Sequence, residues 1–122
     1  MQIAQKNFYK KFLGRVGEKK AVEYLKEQGY KILDKNYKTR VGEIDIVAKI
    51  EDEIVFVEVK TRSSDRFGSP SLAVNYEKQR KYFSVATSYL IKNFGTEDKN
   101  CRFDVVEIED GKINHIINAF SR

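Results

Sequence analysis

Two stretches of this chain set acidic residues and a lysine into runs dense in valine and isoleucine: Gly42-Glu43-Ile44-Asp45-Ile46-Val47-Ala48 and Val55-Phe56-Val57-Glu58-Val59-Lys60-Thr61-Arg62. In the second run, strand alternation puts Phe56, Glu58 and Lys60 on one face and Val55, Val57 and Val59 on the other. In the first, Glu43, Asp45 and Val47 oppose Ile44, Ile46 and Ala48. Carboxylates near a core are costly unless paired, protonated or bound to a metal. Two facing carboxylates suit a hard cation such as Mg²⁺, which takes few protein ligands and keeps several waters. The backbone carbonyl of Val59 can complete the protein's share. Lys60, two residues beyond Glu58, points into the same site. There it can orient or help deprotonate a water and stabilise negative charge developing on phosphorus. Spacing alone also allows a plainer reading, a cross-strand Glu-Lys salt bridge on a solvated sheet face.

The register of the two runs decides whether such a site exists. A two-residue turn at Glu51-Asp52 pairs Ile50 with Glu53 and sets Asp45 directly across from Glu58. A four-residue loop sets Asp45 across from Lys60. An odd-length loop without a bulge would send Asp45 and Glu58 to opposite faces. The site therefore requires an even loop or a compensating bulge.

The elements that must carry these residues follow from punctuation and periodicity. Residues 14–28 read as a helix ended by Gly29, with Ala21, Val22 and Leu25 as its apolar stripe. Glu18 lies in phase with that stripe, as do Gly14 and Gly17, which permit close approach to a backbone or phosphate. Capping or a buried salt bridge would equally explain Glu18. Strands are expected over 30–37, 42–50 and 54–62, the last two forming an antiparallel hairpin. Residues 63–71 are a loop holding the only proline, Pro70; it is expected to be mobile and to border the active face. A long helix follows over 74–93, with Tyr82, Phe83, Ala86, Tyr89 and Leu90 on one face and Lys78 and Gln79 in phase with them. Strands over 101–108 and 112–118 turn at Asp110-Gly111. The expected fold class is α/β, a three-layer arrangement with a central mixed sheet flanked by helices in the order α-β-β-β-α-β-β. A single domain over residues 1–122 is expected, with a core about 14–118 and a basic N-terminal segment 1–13.

Composition bounds the function. The chain of 122 residues is 41% hydrophobic and 34% charged, with formal charge +5. The cations are clustered. Lys6, Lys10, Lys11, Arg15, Lys19 and Lys20 face only Glu18 in the first twenty residues, and Lys60, Arg62, Arg66, Lys78, Arg80 and Lys81 form a second group. Such clustering is the footprint of a phosphate-backbone binder, or simply a solvated basic surface. The single cysteine, Cys101, excludes an internal disulfide and a cysteine-based zinc site, and reads as a buried, inert thiol. The lone His115 leaves no Cys/His or Ser/His pair and reads as structural or exposed. Without a signal-like or membrane-length apolar segment, a cytoplasmic protein with no membrane partner is expected.

Asp45 and, thirteen residues on, Glu58-Val59-Lys60 resemble the D…ExK centre of PD-(D/E)xK nucleases. More narrowly, Gly17-Glu18, Gly29-Tyr30, Gly42-Glu43-Ile44-Asp45, Val55-Phe56-Val57-Glu58-Val59-Lys60 and Cys101-Arg102-Phe103-Asp104-Val105-Val106 resemble the YraN family. Those are small bacterial proteins with a restriction-endonuclease-like fold, similar to archaeal Holliday-junction resolvases. The resemblance implies Asp45 and Glu58 as metal ligands, Lys60 as the catalytic lysine and Glu18 as a further acidic residue of the catalytic set. Ile44 stands where the motif has proline. The function expected is phosphodiester hydrolysis on DNA or structured nucleic acid with Mg²⁺ or Mn²⁺. Lys10, Lys11, Arg15, Arg62, Arg66, Lys78, Gln79 and Lys81 would contact phosphates, and a homodimer would present two sites on one basic surface. The rival is a nucleic-acid-binding or assembly module that uses the same basic rim without cleaving.

Overall fold

The computed structural model describes the backbone of residues 2–62 and 75–121, and the side chains of residues 13–62 and 75–121. The elements are α1 (Gln2–Glu27), β1 (Lys31–Lys38), β2 (Glu43–Ile50), β3 (Glu53–Arg62), α2 (Tyr76–Phe94), β4 (Cys101–Glu109) and β5 (Lys112–Phe120). This is the expected order. One boundary differs: α1 begins at Gln2, so most of the segment expected to lie outside the core continues the helix. No proline interrupts residues 2–13, and their alanine, lysine and glutamine are good helix formers. Gly14 and Gly17 lie inside the helix, as expected, and it extends N-terminally beyond the expected start at Gly14. The loop expected over 63–71 lies outside the described residues.

The five strands form one sheet in the order β1-β2-β3-β4-β5. Only β3 and β4 are parallel, joined through α2, so the sheet is mixed. Alternation along the central strands sends side chains to two cores. On one face Val47, Ile54, Phe56, Phe103 and Val105 meet Tyr82, Val85, Ala86, Tyr89 and Leu90 of α2. On the other, Ile46, Ala48, Val55, Val57, Val106 and Ile108 meet Ala21 and Leu25 of α1 and Tyr30 beyond its end. The result is a helix, sheet and helix sandwich, in which each helix buries one apolar stripe.

Helix ends follow from local chemistry. The Asn75 side chain accepts the Lys78 N–H at 2.8 Å and caps α2, and Gly95 closes it with φ 75°. Gly29, at φ 94°, stops α1 so that Tyr30 can enter the core.

Gly17 sets how closely α1 lies against the sheet. A Cβ placed there would overlap the Thr61 hydroxyl on β3 and approach the Ile108 side chain to 3.7 Å. Alanine is the better helix former by about 1 kcal/mol, so propensity alone would make Gly17→Ala stabilising. We expect the opposite: crowding should destabilise by about 1–3 kcal/mol. Thr61→Ala in the same chain should restore most of that loss. Urea unfolding of both single variants and the double variant checks it.

Candidate active site at the parting of two strands

The hairpin turn has two residues. Ile50 pairs with Glu53, and the ladder runs through Lys49–Ile54, Ala48–Val55 and Val47–Phe56 to Ile46–Val57, where it ends. The register is the one that sets Asp45 across from Glu58, and the four-residue alternative is excluded. Past Ile46 the strands part. Asp45 Oδ2 accepts the Val59 N–H at 2.8 Å, so a side chain stands where a backbone carbonyl would otherwise serve. The Asp45 and Glu58 carboxyls lie close enough to act on each other, and Glu58 Oε2 is buried without a hydrogen-bond partner. Parting also changes the pleat of β2: Ile44, expected beside Ile46 and Ala48, instead packs in the α2 core. Without a β3 partner, the strand is no longer held to simple alternation at this point.

Asp45 is half-buried and the Glu58 side chain is 10% exposed. Burial first, then the Glu58 charge, push Asp45 up to about 8, against the pull of the Val59 N–H. The pair therefore shares a proton at neutral pH, as two carboxyls crowded out of water must. Lys60 is half-buried on the Glu58 face of β3, and in register it adjoins Glu107 of β4. Burial first, then the Lys78 ammonium, lower its affinity for a proton.

Both helices reach this gap. From α1, Glu18 lies close enough to Glu43, Glu58 and Asp45 for their charges to act on it, with Asn36 of β1 nearby; burial raises its pKa. From α2, Lys78 Nζ lies 3.3 Å from Glu58 Oε2 while its side chain remains 48% exposed. Arg62, expected on the basic rim, is largely buried with its Nε 3.0 Å from Glu107 Oε2, so it belongs to the floor beside Lys60. Arg15 and Lys81 are exposed and Gln79 is half-buried. Lys10 and Lys11 lie on α1, with side chains outside the described residues, and Arg66 lies outside them altogether.

Sequence reasoning missed three features. Asn36, at φ 54° in β1, is the first. Glu107, buried among β4 side chains, is the second. The third is a polar knot on the α1 face: Asp104, fully buried, accepts from Arg102 Nε at 3.0 Å, His115 Nε2 at 2.7 Å and Asn118 N–H at 2.9 Å. Arg102 also bonds Glu53 and the Tyr30 hydroxyl, and the Tyr24 hydroxyl meets His115 Nδ1 at 3.0 Å. These hydrogen bonds hold the Asp104 carboxyl below its ordinary range despite burial. The available signal was an acid between Phe103 and Val105-Val106, in a strand otherwise fit for a core.

Among the described residues, no group of three acidic, histidine or cysteine side chains is placed to hold a metal ion. The donor set that is present, two carboxyls and the Val59 carbonyl, suits an octahedral oxygen-seeking cation that keeps its waters. The fold and site thus define a three-layer α/β protein with an enclosed carboxyl pair and a lysine where two strands part. The chain belongs to the uncharacterised protein family UPF0102, the YraN family, whose profile matches residues 17–108. It is 56% identical to a UPF0102 protein of Alkaliphilus oremlandii, over 90% of this chain and 98% of that one. A relative from Clostridioides difficile is 52% identical over 88% and 95% of the two chains, and one from Caldanaerobacter subterraneus 47% over 94% and 99%. No helix of the described residues is long and apolar enough to cross a membrane.

The Asp45 proton has a consequence for stability. Its folded-state pKa is raised, so the stability it confers is full below the ordinary value of 3.8 and is lost as pH rises toward about 8. Metal-free protein should therefore lose stability between these values. Asp45→Asn should flatten that loss and raise the melting temperature at pH 8 by at least about 4 °C, roughly 1 kcal/mol for a domain of this size. Thermal melts in chelator across this range check both the sign and the slope.

Proposed function

We propose that this protein is a divalent-cation-dependent nuclease acting on DNA or structured nucleic acid. One observation carries the reading: the enclosed Asp45–Glu58 carboxyl pair, held at the end of the β2–β3 ladder beside Lys60, with Glu58 Oε2 buried and without a hydrogen-bond partner. A carboxyl pair so enclosed is unfavourable in the metal-free protein, which is the arrangement a cation-binding enzyme needs and a purely structural sheet does not. Asp45, Glu58 and the Val59 carbonyl would hold Mg²⁺ or Mn²⁺. When bound, the cation supplies Lewis acidity and an activated water.

The chain's own groups do the rest. Lys60, short of protons through burial, is suited to orient a water and to face charge gathering on phosphorus. Lys78 bridges from Glu58 toward solvent, where a phosphate would approach. Arg15 and Lys81 are exposed cations that would hold the backbone without reading sequence. Two sites in a homodimer would suit a substrate cut on both strands.

Purified chain with Mg²⁺ or Mn²⁺ should cleave at least one of linear, single-stranded, flapped or four-way-junction DNA. Asp45→Asn and Glu58→Gln should each reduce cleavage at least about 10²-fold, while nucleic-acid binding persists or strengthens, since an anionic group is lost. Full cleavage by both variants, with contaminating nuclease excluded, refutes the assignment. Binding without cleavage by the wild type favours the non-catalytic module.

A further inference from the structure

Among the described residues, two of the exposed apolar side chains share one cationic neighbour. Tyr76, in the first turn of α2, is 72% exposed, and the Arg80 guanidinium stands 6.0 Å from its ring centroid. Val41, in the β1–β2 turn, is 49% exposed. It lines a groove of about 320 Å³ together with Glu77, Arg80, Lys81 and Ser84 of α2. Residues three and four apart share a helix face, so Tyr76, Glu77, Arg80, Lys81 and Ser84 form one continuous strip.

The opposite wall is fixed by its own hydrogen bonds. Thr39 N–H donates to the Gly42 carbonyl at 2.8 Å, and Val41 N–H donates to the Thr39 hydroxyl at 3.1 Å. Gly42 lies against α2, where a Cβ would meet Val85 at 3.7 Å and Lys81 at 3.9 Å. Arg40, exposed in the same turn, adds a third cation to Arg80 and Lys81. Against them, Glu77 is the acidic residue among the described residues of the groove. The groove adjoins the carboxyl pair on both walls. Lys78, next to Glu77, reaches Glu58, and the turn runs through Glu43 and Ile44 into Asp45.

A surface that met only a duplex backbone would need cations alone, because phosphates are what the backbone presents. Unpaired bases also offer their flat faces, which stack on aromatic groups set among cations. We propose that this groove takes a single-stranded segment of the nucleic acid next to the cleavage point. Its bases lie against Tyr76 and Val41, and its phosphates on Arg40, Arg80 and Lys81. This rests on the nuclease reading above, and it narrows the substrate to one with an unpaired stretch. Glu77 repels phosphate and so keeps the backbone to the cationic side of the groove.

Binding measured in chelator separates this surface from cleavage. Fluorescence anisotropy follows a labelled oligothymidine of about twelve nucleotides, within the span of one single-strand site, and a blunt duplex of the same length. Tyr76→Ala and Val41→Ser remove exposed groups, and circular dichroism verifies that both variants fold. Each should weaken single-strand binding at least about fivefold, the loss expected for one unstacked base, and leave duplex affinity unchanged. Lys81→Gln should lower the single-strand salt slope by about 0.7, the share of one phosphate contact. Unchanged single-strand affinity in Tyr76→Ala and Val41→Ser, or equal losses for single strand and duplex, overturns the groove and leaves the nuclease reading standing. No single-strand binding by the wild type overturns it too. Losses confined to the single strand, in a chain that cleaves no DNA when given Mg²⁺ or Mn²⁺, uphold the groove and overturn the nuclease reading.

Discussion

The molecule is organised around two carboxyl groups kept together where water is scarce. Asp45 and Glu58 meet where the β2–β3 ladder stops, and the Val59 N–H, released from the ladder, holds one of them in place. Buried like charges repel, so the metal-free pair retains a proton. That unfavourable arrangement persists only because the surrounding structure over-determines it. The hairpin turn fixes the register, and the apolar neighbours Ile44, Ile46, Val57 and Phe56 cannot leave the two cores without large loss.

Each helix is placed so that it also serves this gap. On one side the absence of a side chain at Gly17 lets α1 lie close against Thr61, and the next residue, Glu18, is thereby brought beside the carboxyl pair. On the other side, the Asn75 cap sets the first turn of α2, from which Lys78 reaches Glu58. The knot at Asp104 serves a different end. It ties β4 and β5 to Tyr24 of α1 and to Tyr30 just beyond it, through fully paired hydrogen bonds, and so fixes the helix that carries Glu18. Removing one partner from such a knot strands a buried charge, which is why polar groups this deep must come as a complete set.

Much of this was legible in the residues. Apolar runs and turn signals gave every element, because each strand here has a buried face and each helix an apolar stripe. The parity of one short turn narrowed the partner of Asp45 to Glu58 or Lys60, and the two-residue turn of the structure decides for Glu58. What escaped has identifiable causes. The helix was started at Gly14, whereas it runs from Gln2, because residues 2–13 show no clear apolar stripe; the close approach expected at Gly17 is there, against Thr61 of β3. Ile44 was assigned by alternation, a rule that holds only while a strand is paired on the relevant side. The roles of Asp104 and Glu107 were not read, since their partners Arg102, His115 and Arg62 are brought to them only by the sheet. Asn36 carries no local sign that its backbone is left-handed.

The central claim, that the protonated Asp45–Glu58 pair is a cation site, is tested most directly by counting protons. Calorimetric titration of the wild type with Mg²⁺ or Mn²⁺ at pH 7, repeated in buffers of different ionisation enthalpy, reports protons released per cation bound. With Asp45 pushed up to about 8, binding should expel close to one proton at pH 7, and progressively fewer as pH rises above that value. Asp45→Asn should bind weakly and release none. Cation binding that is independent of Asp45, or that releases no proton at pH 7, would contradict the account.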